Sequence, residues 1–162
     1  EQLEEIRTRV TTLLEQLPGE VPEVPIDPSA GLCLCTPARG RLDDLSAAMA
    51  AQALQAEGLP ATVVAEGAEP SPEMAAAARL CCIAVLEESC TAASLRYLVR
   101  RWEKLLPEAQ IAIGLWQAAP DSPVLAELRR EATGQTIVTS LSELAALWRA
   151  LANQPPAQRA AP

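Results

Sequence analysis

The sequence alternates short apolar runs with amphipathic segments, and this alternation restricts the possible folds more than any other feature. A run of roughly 4–8 apolar residues bounded by Gly or Pro is typical of a buried strand. Such runs occupy residues 31–36, 61–65, 80–86, 110–116 and 135–139. Helical patterns follow them at residues 41–57, 91–106 and 122–132, and begin also at Pro72 and after Ser140. For the helix at 41–57 we predict an inner face made of Leu42, Leu45, Met49 and Ala53.

Five repeats of strand then helix predict a single α/β domain. Because each helix must carry the chain back to the same end of the sheet, the strands are expected to be parallel, with helices on both faces. For five strands the flavodoxin-like, doubly wound order 2-1-3-4-5 is the prediction, and half of a Rossmann domain is the alternative.

The segments outside this alternation predict a division of the chain. Residues 1–17 have apolar side chains at spacings of three and four, which indicates an amphipathic helix. Four prolines between residues 18 and 28 predict a linker over 18–29, followed by the α/β domain at 30–152. The Pro- and Ala-rich residues 153–162 are expected to be a disordered tail. Because the chain begins at Glu1 rather than Met, we expect it to be a fragment of a longer protein.

Composition excludes several classes of function. The chain has 162 residues, a formal net charge of -8 and no histidine. The negative charge argues against nucleic acid as a partner, because phosphate binding needs clustered Lys and Arg. Without histidine there is no Ser-His-Asp or Cys-His catalysis, so we predict no catalytic residue, no metal and no cofactor. No apolar run reaches the roughly 18 residues that span a bilayer.

A ligand site is expected beyond the carboxyl ends of strands 1 and 3, where the order 2-1-3-4-5 leaves a crevice. The candidate residues are Thr36, Arg39, Gly40, Glu87 and Trp116, with Arg39 able to pair with an anion. The alternative is an ordinary turn in which Arg39 meets Asp43 or Glu87. The loop has neither the three glycines of a dinucleotide fingerprint nor the Gly-Lys-Ser/Thr of a P-loop.

The five cysteines indicate a reducing compartment, because their number is odd. Cys33 and Cys35 are expected on one face of a strand, whereas Cys81 and Cys82 are expected on opposite faces. Core packing is the preferred interpretation of these four, and Cys90 is the candidate for a solvent-accessible thiol. Asp43 and Asp44 are expected simply to start a helix.

Four short motifs, in this order and spacing, resemble the C-terminal region of permeases of the autoinducer-2 exporter (AI-2E) family. The motifs are Pro37-Ala38-Arg39, Arg96-Tyr97-Leu98, Gly114-Leu115-Trp116 and Val138-Thr139-Ser140-Leu141, and the resemblance extends to about Leu151. The chain departs from the family at residues 87–89, where relatives tend to have small or apolar residues. The resemblance implies that the parent protein is a multi-pass transporter of a bacterial inner membrane, with this domain on the cytoplasmic side.

Two functional hypotheses follow. The first is a non-catalytic regulatory or assembly domain of such a transporter, whose partner is the membrane-embedded part of the same polypeptide. The second is a small enzyme or carrier that binds an anion or nucleotide near Arg39. In either case the apolar stripe of residues 1–17 needs a cover, and a homodimer through this helix is the prediction for the isolated chain.

Overall fold

A computed structural model describes residues 2–16, 29–86, 90–131 and 135–154. Its centre is a five-stranded sheet in the order β2-β1-β3-β4-β5, and every neighbouring pair of strands is parallel. The strands are β1 (Leu32–Pro37), β2 (Ala61–Val63), β3 (Ala78–Leu86), β4 (Gln110–Trp116) and β5 (Thr136–Val138). The predicted flavodoxin-like sheet is therefore confirmed.

The described residues form six helices around the sheet, which are α1 (Gln2–Gln16), α2 (Asp43–Ala56), α3 (Pro72–Ala77), α4 (Ala92–Leu105), α5 (Pro123–Glu131) and α6 (Leu141–Ala152). Helices α3, α4 and α5 contribute to one buried cluster with one sheet face, and α2 and α6 contribute to a second cluster with the other. Trp102 of α4 and Trp148 of α6 are 3% and 0% exposed, so both tryptophans lie in the core. Helices on both faces make the fold doubly wound.

Side-chain caps fix where these helices begin. The Ser71 hydroxyl accepts a hydrogen bond from the amide of Met74, and Pro72 occupies the first turn of α3. Ser140 accepts from the amide of Glu143, whose carboxylate in return accepts from the amide of Thr139 at 2.8 Å. These contacts satisfy amides that have no partner inside a helix, which is why Ser occurs immediately before α3 and α6.

The predicted inner face of α2 is wrong. Met49 is 45% exposed, and the buried face consists instead of Asp43, Ser46, Ala47, Ala50, Ala51 and Leu54. Alanines allow the helix backbone to approach the sheet closely, so the small residues face the strands and the larger apolar ones lie at the side. The pattern offered two apolar stripes, and packing against the sheet selected the one with the smaller side chains.

Helix α1 lies against α2 of its own chain. The Arg7 guanidinium pairs with the Asp44 carboxylate at 2.6 Å. Ile6 and Leu13 nevertheless remain 49% and 62% exposed. Docking on its own domain therefore covers only part of the apolar stripe of α1.

Parts of the predicted division lie outside the described residues, namely most of the linker at 18–29 and most of the tail at 153–162. Among residues 2–16, 29–86, 90–131 and 135–154, none of the helices has both the length and the apolar character needed to cross a bilayer.

Candidate functional site

Asp43 occupies the rim beyond the carboxyl ends of β1 and β3, where a crevice was predicted. Its side chain is fully buried, and its two oxygens accept hydrogen bonds from the amides of Gly40 at 2.7 Å and Leu86 at 2.9 Å. The amide of Gly40 is thus engaged by the protein itself. Asp43 therefore ties the loop after β1 to the end of β3, a role that its place in the first turn of a helix did not indicate.

Thr36 and Arg39 lie on the sheet face covered by α4. They border a cavity of about 60 Å³ together with Pro37, Glu66, Gly67, Leu98, Arg101 and Trp102. The Arg39 guanidinium carbon lies 5.3 Å from the centre of the Tyr97 ring, a cation–π distance. Arg101 donates to the carbonyl of Gly67 at 3.3 Å. A space of this size accommodates a few waters or a small ion.

Trp116 lies on the opposite face of the sheet, since residues 112, 114 and 116 of β4 face α2 and α6. Glu87 is outside the described residues. The structure therefore brings Thr36 and Arg39 together, places Gly40 in the neighbouring turn and separates Trp116 from them. Ligand binding by these five residues stays a prediction.

A second cavity, of about 480 Å³, lies at the carboxyl end of the sheet on the α2 and α6 side, beneath α1. We call it the α1 cavity. Its lining is mostly apolar and comprises Ile6, Val10, Leu42, Leu45, Ser46, Met49, Leu86, Trp116, Gln117, Thr139, Ser140, Leu141 and Ser142. The residues assigned to the inner face of α2 in error, Leu42, Leu45 and Met49, therefore form a wall of this cavity.

The indole of Trp116 is folded back over its own strand. A Cβ atom added to Gly114 would lie 2.5 Å from two carbons of this ring and 3.1 Å from the sulfur of Cys82, so only glycine fits there while the ring keeps this position. The Trp116 Nε1 atom is buried, and among the described residues it has no hydrogen-bond partner. The Gly-Leu-Trp motif at the end of β4 thus builds one wall of the α1 cavity.

The next residue, Gln117, has a φ of 57°, which is uncommon for a residue other than glycine. In this conformation its amide donates to the carbonyl of Thr139 at 3.1 Å. The bond joins the end of β4 to the start of α6 and sets the polar edge of the α1 cavity.

Four cysteines are buried in the sheet, and their faces are as predicted. Cys33, Cys35 and Cys82 belong to the cluster under α2 and α6, whereas Cys81 belongs to the other. Burial raises the pKa of the Cys81 and Cys82 thiols well above 9.0. For Cys33 a hydrogen bond with Cys35, followed by burial, raises the pKa likewise. The thiols of Cys33, Cys81 and Cys82 are therefore neutral at neutral pH. All four buried cysteines pack as small core residues, while Cys90 is half-buried before α4.

Comparison with known proteins does not assign the chain to a family: the sequence matches no protein-family model and no curated protein.

Proposed function

We propose that this chain is a non-catalytic regulatory or assembly domain of a multi-pass membrane transporter resembling the AI-2E permeases. The observation that carries the proposal is the partial docking of α1. This helix contacts α2 through the Arg7–Asp44 ion pair, while Ile6 and Leu13 keep about half of their surface or more in solvent. A helix held in this way suits a coupling element better than a fixed part of the core.

The position of α1 supports coupling. Ile6 and Val10 border a cavity at the carboxyl end of the sheet, so a displacement of α1 changes the surroundings of Trp116 and Leu86 directly. In a transporter parent, α1 would follow the last membrane span, and a movement of that span would reach the α/β domain through α1.

The chemistry of the described cavities supports a role without catalysis. The described residues that line the α1 cavity contribute apolar side chains, hydroxyl groups, one amide and one indole, none of which is a strong acid or base at neutral pH. Asp43, the buried carboxylate of the rim, is engaged by two backbone amides. A nucleotide near Arg39 is poorly supported, because the cavity there is about 60 Å³ and pockets for small molecules are typically roughly 300–1,000 Å³.

The test has two parts. The genomic reading frame upstream of Glu1 should encode several long apolar spans, and a wholly hydrophilic upstream frame would contradict the proposal. In the full-length parent, Val10→Asp should then alter the transport rate without lowering the amount of protein in the membrane. Glu4→Gln, a change on the exposed surface of the same helix, is the matched control. Equal transport by both variants and the unmodified parent would exclude coupling through α1.

A further inference from the structure

The α1 cavity combines an apolar body with a polar edge. The walls contributed by α1 and α2 are apolar except for Ser46. The polar residues come from the ends of β4 and β5 and the start of α6, and are Gln117, Thr139, Ser140 and Ser142. A volume of about 480 Å³ falls within the range of pockets that hold small organic molecules, roughly 300–1,000 Å³.

The buried Trp116 Nε1 atom indicates what such a molecule would carry. A buried N–H group without a partner is unfavourable, and native proteins rarely leave one unpaired. Trp116 lines the cavity and this donor is unpaired among the described residues, but the Nε1 atom itself has no accessible surface. The acceptor of a ligand would therefore reach it once the indole has turned towards the cavity. Glycine at position 114 leaves the room that the ring occupies in its present position.

The backbone conformation of Gln117 is a second and independent indication that the α1 cavity is a binding site. A left-handed conformation of a residue other than glycine is unfavourable and is often found where a site is held in shape for binding. Here it directs the chain from β4 towards Thr139, along the polar edge of the cavity.

The charges around the cavity favour a neutral ligand. None of the described residues that line it is charged. The positive end of α6 is already paired with an anion, because the Glu143 carboxylate accepts from the amide of Thr139 at 2.8 Å. A carboxylate or phosphate on the ligand would therefore meet a negative charge at this edge.

We propose that the α1 cavity binds a neutral, mostly apolar molecule, and that the Trp116 indole turns on binding so that its Nε1 atom donates to a carbonyl-type acceptor of the ligand. Helix α1 forms the cover of this site through Ile6 and Val10. Binding would give the regulatory domain proposed above a chemical signal. It does not depend on a transporter parent, since all the described lining residues belong to this chain.

The experiment measures binding of the neutral fluorophore N-phenyl-1-naphthylamine to the full chain, and its displacement by 2-decanone, decane or decanoate. We expect saturable fluorophore binding in wild type, and displacement by 2-decanone at lower concentration than by decanoate. Trp116→Phe keeps an aromatic ring but removes the N–H group, so it should weaken the binding of 2-decanone about 5-fold. Displacement by decane, which has no acceptor, should change little in that variant.

A cavity-filling variant locates the site. Met49→Trp should abolish fluorophore binding, whereas Tyr97→Trp, at an exposed position on α4, should bind like wild type. If Met49→Trp does not fold, as judged by circular dichroism, Ile6→Trp fills the same cavity from α1. Absence of saturable binding, equal binding by the cavity-filling and control variants, or tighter binding of decanoate than of 2-decanone would overturn the proposal. None of these results bears on the upstream reading frame, which tests the transporter parent separately.

Discussion

Asp43 and Asp44 are neighbours in sequence, yet their surroundings give them different roles. Asp43 is fully buried and accepts hydrogen bonds from the backbone amides of Gly40 and Leu86, whereas the Asp44 side chain is 44% exposed and pairs with Arg7. The sequence predicts that both residues start a helix and, as the alternative to a ligand site, that Asp43 pairs with Arg39 in the turn. Burial depends on the orientation of the α2 backbone over the sheet, which two adjacent acidic residues do not reveal.

This difference predicts unequal effects of two matched substitutions. Asp43→Ala leaves two amides without their acceptor and should lower the free energy of unfolding by about 2–4 kcal/mol. Asp44→Ala removes one exposed ion pair and should cost less than about 1 kcal/mol. Urea unfolding followed by circular dichroism measures both. Equal losses would show that the Asp43 contacts contribute no more than a surface pair.

The buried thiols predict a decline of stability at alkaline pH. The pKa values of Cys33, Cys81 and Cys82 are raised in the folded chain, so it keeps these protons above pH 9.0 while the unfolded chain releases them. The contribution of these groups to the free energy of unfolding is complete below pH 9.0 and is lost as the pH rises above it. Each thiol should lower the free energy of unfolding by up to about 1.4 kcal/mol per pH unit.

The measurement is urea unfolding between pH 7.5 and 10.5 under reducing conditions, with Cys81→Ala beside wild type. The variant should be less stable at neutral pH because the substitution leaves a small cavity. Between pH 9 and 10.5, however, its free energy of unfolding should fall less than that of wild type, by about the amount that one thiol contributes. Parallel curves for the two proteins would mean that Cys81 ionises equally in the folded and unfolded states.

At the scale of elements, the strands and helices follow from the sequence, whereas the contact face of α2 does not. Strands buried on both faces appear as continuous apolar runs, and serines mark the starts of α3 and α6. Helix α2 has alanines on one side and Leu42, Leu45 and Met49 on the other, so hydrophobicity alone favours the larger residues. The close approach of helix to sheet reverses that preference.

The docking of α1 can be tested with two residues of the same helix. Val10 borders the α1 cavity, while Leu13 does not and is 62% exposed. Val10→Asp should release α1, since a carboxylate is unfavourable in an apolar cavity. Hydrogen exchange of residues 2–16 should then increase, with little change in the rest of the domain. Leu13→Asp, examined in dilute solution, should leave exchange as in wild type. Equal exchange in both variants would contradict the observed contact face.

For the whole molecule, local patterns predict the sheet order but not the α1 cavity. The sheet order follows from alternation of elements and from the handedness of their connections. The cavity is built by α1, α2, the ends of β3 and β4, and the start of α6. Its first and last lining residues, Ile6 and Ser142, are more than 130 residues apart in the chain. Of the described residues that line the cavity, Trp116 alone belongs to the ligand site predicted from the sequence, because it ends a strand. No local pattern shows that α1 lies over it.

The exposed part of α1 leads to the prediction of a homodimer. Ile6 and Leu13 are seven residues apart and therefore lie on one side of the helix. In a single chain they remain in water, so pairing with α1 of a second copy would bury them. Because two heptads at most are available, such a pair should be weak and depend on concentration.

We therefore expect the full chain to be heavier than its monomer mass of 17.2 kDa at high concentration and to approach that mass on dilution. Removing residues 1–17 should give a monomer at every concentration. Leu13→Asp should do the same while keeping α1 docked, because Leu13 is absent from the α1 cavity. Sedimentation equilibrium of the three proteins measures these masses.

A monomeric full chain at all concentrations would exclude the dimer and leave docking on α2 as the only role of the stripe in the isolated chain. A dimer that persists in the truncated chain would place the interface on the α/β domain instead.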